Sequence, residues 1–148
     1  MTTQEYFDQA KRLDERIKLD LHELASLRAD ICALSSPGFD ERVQSSPNGD
    51  APFVHGIERL MQREEEIDRE IDLLFDLKEQ MRGVIAQLPT PEEQLVLRAR
   101  VLEKMSWGEI ASLMSCSRNT PAEWYENAIE HAVLPENPID VSVLKNQV

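Results

Sequence analysis

Two cysteines and three histidines are the side chains here best suited to bind a metal or attack an electrophile, and their spacing supports neither. Cys32 and Cys116 stand far apart, and neither has a second ligand at the short spacing of a zinc site. His22, His55 and His131 are as scattered. The chain carries no phosphate loop and no dinucleotide fingerprint. The sequence therefore implies reduced thiols, no metal, no cofactor and no catalytic constellation, so the expectation is a protein that is not an enzyme.

Contact with phosphate is the chemistry left for the charged side chains. Arg98, Arg100, Lys104 and Arg118 form the basic cluster of the C-terminal part, and with Asn119, Thr120 and Asn127 they are the candidate DNA-binding residues. The overall charge opposes them. Against 16 basic side chains the chain has 28 acidic ones, for a net charge of −12, and no long segment is net basic. Such a chain is repelled by nucleic acid unless its positive charge is gathered locally.

The elements that must position these residues lie in SWGEIASLMSCSRNTPAEW, residues 106 to 124, which has the rhythm of a helix-turn-helix. Ser106 with Glu109 opens a first helix running to about Met114. Ala111 lets a second helix cross closely, and Ser115 stands where the turn needs a left-handed backbone. Trp107, Ile110, Ala111, Met114 and Trp124 form the expected core of the motif. Trp107 packs the start of the first helix in preference to stacking on a base. Pro121 stands where a valine or isoleucine normally packs, and Thr120 to Glu123 read as a capping box that starts the second helix late. Ala122, Tyr125, Ala128, Ile129 and Ala132 then share an inner face, and Glu123, Glu126, Asn127 and Glu130 an outer one. The outer face is the one that meets bases in a DNA reader, and its glutamates would face phosphates.

Upstream, Thr90-Pro91 with Glu93 starts a helix continuing to about Met105. Two longer periodic runs precede it, about Thr3 to Leu34 and Ile57 to Leu88. They predict an all-α fold: an antiparallel, coiled-coil-like hairpin over 1–88, a helix-turn-helix head over 89–133 and a tail over 134–148. Leu13, Ile17, Leu21, Leu24, Leu27 or Arg28, Ile31 and Leu34 mark one stripe, and Ile57, Leu60, Ile67, Ile71, Leu74, Met81, Ile85 and Leu88 the other. Two helices alone cannot cover both stripes. Ile17, Leu24, Ile31, Ile67, Ile71 and Leu74 are therefore expected to form a homo-oligomer, a dimer in the simplest case; the alternative is that the C-terminal segment covers the seam within one chain. The linker 35–54, rich in proline and glycine, either is disordered or is pinned by Phe39, Val43 and Phe53. Nothing approaches the length of a membrane span, and no secretory signal opens the chain, so the expectation is a soluble protein of the cytoplasm.

The segments TTQEYFDQAKRLDERIKLDLHELASLRA, FDERVQSSPNGD, EEEIDREIDLLFDLKEQM and SWGEIASLMSCS together resemble a family of small, largely uncharacterised phage and prophage proteins of Gram-positive bacteria. The likeness covers residues 2 to about 129, and ERVQSSPNGD is its most specific piece. The C-terminal part of that family resembles the helix-turn-helix of sigma factor region 4 and of phage late-gene activators. Trp107, Glu109, Ile110, Ala111 and Met114 match the first helix of that motif and Ser117 the start of the second. The resemblance implies a phage-encoded, sigma-like regulator of late transcription, acting in the host cytoplasm on promoter DNA, on RNA polymerase or on both. Pro121, Glu123 and Glu126 depart from a second helix that is usually basic. Two alternatives follow from the residues: a DNA-free interaction module that uses the motif as a scaffold, or a small DNA-packaging subunit.

Overall fold

The structure, a computed structural model, describes residues 1–34 and 51–147. The chain is all-α, with no strand among the described residues. In order come α1 (Thr3–Leu34), α2 (Ala51–Ala86), α3 (Pro91–Leu97), a π-helical turn (Arg98–Leu102), α4 (Trp107–Leu113), α5 (Thr120–His131) and a terminal 3-10 stretch (Val141–Gln147). No helix among the described residues is long and apolar enough to cross a membrane.

Two compact units form, one of Met1–Asp14 with Asp72–Val148 and one of Glu15–Ile71, and α1 and α2 contribute to both. The division expected at residue 88 therefore falls elsewhere. The start of α1 and the second half of α2 pack with the helices of the head, because Tyr6, Phe7, Ala10, Leu77 and Met81 share a core with Leu97, Leu102 and Ala128.

In the unit of Glu15–Ile71, the two helix segments run antiparallel. Arg16 Nε lies 3.3 Å from Glu70 Oε1 and Arg28 Nη2 lies 2.5 Å from Glu64 Oε1. Toward the far end, a Cβ added to Gly56 would meet Ile31 Cγ1 at 3.0 Å, so the helices approach closely there. The buried positions of α1 follow a seven-residue repeat through Ala10, Ile17, Leu24 and Ile31. Leu21 and Leu34, expected in that seam, are exposed. The seam of α2 takes Glu70 as a buried member, whereas the neighbouring Ile71 is only half-buried.

Of the expected oligomerisation stripe, Ile17, Leu24, Ile31, Ile67 and Leu74 are buried in the packing of the single chain and Ile71 is half-buried. The exposed apolar side chains of this unit are others, among them Leu19, Leu21 and Met61. The expected linker is also shorter on its C-terminal side. Ala51 to Val54 belong to α2, with Pro52 in its first turn, where a missing N–H costs nothing. Phe39 and Val43 lie outside the described residues.

Local chemistry sets the other helix ends. Thr2 and Glu5 cap α1 reciprocally: Glu5 N–H donates to Thr2 Oγ1 at 3.2 Å and Thr2 N–H to Glu5 Oε2 at 2.7 Å. Thr90 Oγ1 accepts from Glu93 N–H at 3.3 Å with Pro91 opening α3, as the sequence predicts. The helix expected to continue to Met105 instead widens to a π turn at Arg98 and ends at Glu103. Five of the seven residues from Val96 to Leu102 are buried, and they divide between two apolar clusters. A regular helix cannot aim adjacent side chains in that many directions, and one wider turn does so.

Candidate functional site: the helix-turn-helix face

Packing of α5 on α3, and of α4 on α5 and the π turn, builds the helix-turn-helix. Ser106 Oγ accepts from Glu109 N–H at 3.2 Å and starts α4. Its end is a Schellman closure: Cys116 N–H donates to Ala111 O at 3.1 Å and Ser115 N–H to Ser112 O at 3.3 Å. Ser115 accordingly has φ 53°, the left-handed backbone its position in the sequence anticipates.

The second helix starts at Thr120, as Pro121 suggests, but not through a Thr120 capping box. Asn119 occupies the N-cap and makes no side-chain capping bond there. Pro121 has no N–H to offer Ser117 O, so Thr120 N–H takes that carbonyl at 3.1 Å and a tight turn precedes the helix. The Ser117 and Thr120 hydroxyls bond each other at 2.6 Å. Pro121 itself is fully buried and fills the place of the missing aliphatic side chain.

The expected core of the motif is assembled. Ile110 and Ala111 are buried, and Trp107, Met114, Trp124 and Tyr125 pack around Val96, Ala99 and Ile110. Trp107 and Tyr125 meet edge to face, with ring centroids 5.4 Å apart. At the far end of α5, His131 Nδ1 lies 2.8 Å from Oε1 of the buried Glu93, tying the helix to the start of α3. The Glu93 carboxylate thus serves His131, a role its place in a capping box does not suggest.

The basic cluster does not converge on one face. Arg100 stacks over Trp107, with its guanidinium carbon 4.3 Å from the ring centroid, and donates from Nη1 to Met105 O at 3.0 Å. Lys104, held at φ 56°, forms an ion pair with Asp14. Both charges thus have partners within the unit, Arg100 half-buried and Lys104 exposed. Arg98 and Arg118 remain exposed, as do Asn119 and Asn127, with Thr120 half-buried and bonded to Ser117. On the outer face of α5, Glu123, Glu126 and Glu130 are all exposed. The surface that would meet DNA is negative, and the cations expected to offset it are halved.

A second constellation has no counterpart in the sequence-based candidates. Gln9, 8% exposed, and Gln80 hold the residues after α5 in an extended line. Gln80 Nε2 donates to Asn137 O at 2.9 Å, and Ile139 N–H donates to Gln80 Oε1 at 2.9 Å. One step further, Gln9 Nε2 donates to Ile139 O at 2.9 Å, and Val141 N–H donates to Gln9 Oε1 at 2.8 Å. The Tyr6 hydroxyl fixes Gln80 by donating to its Oε1 at 2.8 Å, and burial pushes the Tyr6 pKa up to about 12, which keeps that donor protonated. A signal for this pair existed: two amides sit one helical turn from seam residues, Gln9 after Tyr6 and Gln80 after Leu77.

Among the described residues no three His, Cys, Asp or Glu side chains gather as a metal site would require. Comparison with protein-family models, with curated proteins and with solved structures gives no match.

Proposed function

We propose that this protein is an interaction module whose helix-turn-helix is a scaffold, presenting the acidic outer face of α5 to a basic surface on a protein partner. The exposure of Glu123, Glu126 and Glu130 on the face a DNA reader turns to bases carries the reading. Three carboxylates one or two turns apart repel phosphate and complement lysine and arginine on a partner. The internal pairing of Arg100 and Lys104 supports it, because it removes half of the charge that would offset them.

The second reading is the phage-encoded, sigma-like regulator of late genes working in the host cytoplasm, with RNA polymerase a partner of suitable kind. The helix-turn-helix packing and the exposed Arg98 and Arg118 favour it. The experiment that separates the two is a titration of duplex DNA over salt, beside a titration of an arginine-rich peptide. The interaction reading expects no DNA binding even at about 50 mM salt, and peptide binding that weakens when Glu123, Glu126 and Glu130 are changed to lysine. Tight DNA binding by the wild-type chain with a steep salt slope would overturn it.

A further inference from the structure

We infer that the groove read by Gln9 and Gln80 is an exchangeable site for an extended peptide, and that its occupant in trans is the tail of a second copy of this chain. The groove recognises backbone. In an extended chain, the C=O of one residue and the N–H of the residue two further on point to the same edge, one amide apart. Gln80 spans that pair at Asn137 and Ile139, and Gln9 spans the next at Ile139 and Val141. Two side chains thus do for the tail what a neighbouring β-strand would do. On the opposite edge Pro138 has no N–H to satisfy.

Side-chain selection is added by Ile139 and Val141, which pack beside the apolar core of the unit, as does Leu134. The site therefore takes an extended segment with apolar residues at alternate positions, and the tail shows that this chain supplies such a segment. Every copy of the chain carries both the groove and its ligand.

The connection between α5 and the clamped segment suits exchange. Ala132 leaves the helix with φ −67° and ψ 135°, Val133 is 73% exposed, the chain bends at Glu136 and Asn137, and Pro135 and Pro138 restrict the backbone on either side of that bend. A connection stiffened by two prolines loses little freedom when it runs to a neighbour rather than folding back. The contacts made in cis and in trans are the same, so exchange costs mainly the loss of free motion of one chain. This dimer uses none of the residues buried in the antiparallel helix seam, and it stands independently of what the acidic face binds.

The test uses full chains. Gln80→Leu breaks the groove and leaves the tail intact, and Ile139→Asp breaks the tail and leaves the groove intact. Each variant alone should run as a monomer in light scattering, and a one-to-one mixture should form a heterodimer. Two monomers in the mixture, with both variants folded by circular dichroism, overturn the proposal. Should either variant fail to fold, the wild-type chain is titrated with a synthetic peptide of residues 134–147 that carries a paramagnetic label, and occupancy is followed by the broadening of the side-chain amide signals of Gln9 and Gln80. Half-saturation is expected in the millimolar range, roughly the effective concentration at which the chain's own tail competes. Amide signals left unbroadened at about 10 mM labelled peptide overturn the proposal on their own.

Discussion

Changing Glu70 to glutamine should stabilise the protein above neutral pH and remove a pH dependence that the wild type possesses. Glu70 is 4% exposed in the seam between α1 and α2. Its carboxyl is pushed up to about 7 from an ordinary 4.5 by burial first, then by a hydrogen bond and charge repulsion from Asp20 and by the charge of Glu66. Arg16 opposes this from 3.3 Å, but its guanidinium also reaches Asp20 at 3.8 Å and is 37% exposed. With both carboxyls ionised, Glu70 Oε2 is buried with no donor facing it, and a proton on Glu70 supplies that donor to Asp20.

Between pH 4.5 and 7 the folded chain therefore holds a proton that the unfolded chain has released. Its stability falls as pH rises through that window, by on the order of 3 kcal/mol at the full shift. Glutamine keeps the shape and both hydrogen-bonding roles of the protonated acid. Urea unfolding from pH 5 to pH 8.5 should find variant and wild type nearly equal at the acid end. At the alkaline end the variant should be ahead by about 2 kcal/mol, roughly 4–8 °C in melting temperature for a chain of this size. Taking the difference between the two proteins cancels every pH effect they share. A variant less stable than wild type at pH 8.5 would mean that the Arg16 ion pair outweighs burial, and the reasoning would be wrong.

Ser115→Gly should stabilise the head by about 0.5–1 kcal/mol in thermal unfolding, because φ 53° strains a serine and not a glycine, less the chain entropy glycine adds. Gln80→Leu should speed amide exchange at Ile139 and Val141 by about tenfold or more while exchange in α2 stays protected, since the bonds to the tail backbone are worth roughly 1 kcal/mol each. Arg100→Ala should destabilise the head by about 1–2 kcal/mol through loss of the Trp107 stack and the Met105 carbonyl bond. The triple change of Glu123, Glu126 and Glu130 to lysine should create DNA binding with a log–log salt slope of roughly −2 to −3, one counterion per new phosphate contact. A triple variant indifferent to DNA would mean that the late start at Thr120 holds α5 away from the groove.

The helices were legible in the sequence because periodicity and caps are local. Thr90-Pro91 and Ser106 to Glu109 start helices where their hydrogen bonds require. The core of the motif at Ile110, Ala111 and Trp124 followed from spacing as well. What the sequence hid depends on which of two neighbours faces inward. Spacing puts Leu21 in the α1 seam and Ile71 in that of α2, whereas Leu21 is exposed and Glu70 is the buried neighbour, because hydrophobicity is a poor guide where a carboxyl is buried beside an arginine. The π turn at Arg98–Leu102 left no mark in propensity, since Arg, Ala, Val and Leu all suit an ordinary helix. The partners of Arg100, Lys104, Gln9 and Gln80 arise from contacts between distant parts of the chain, which no local pattern specifies.

The same distinction separates the scaffold of the head from its ligand. The helix-turn-helix rhythm is a statement about inward positions: Ala111 at the crossing, Ser115 in the turn, Ile110, Met114 and Trp124 around the corner. Even Pro121, which shifts the start of α5, is accommodated because it buries an apolar ring where an apolar side chain belongs. Outward positions contribute almost nothing to that packing and are free to carry any charge. In this chain they carry glutamate, and the arginine and lysine nearby have been turned to structural work against Trp107, Met105 and Asp14. A motif recognised by its interior can thus be retained while its outer positions change sign. On the proposed reading, the charge of the outer face, rather than the fold beneath it, sets what this head binds.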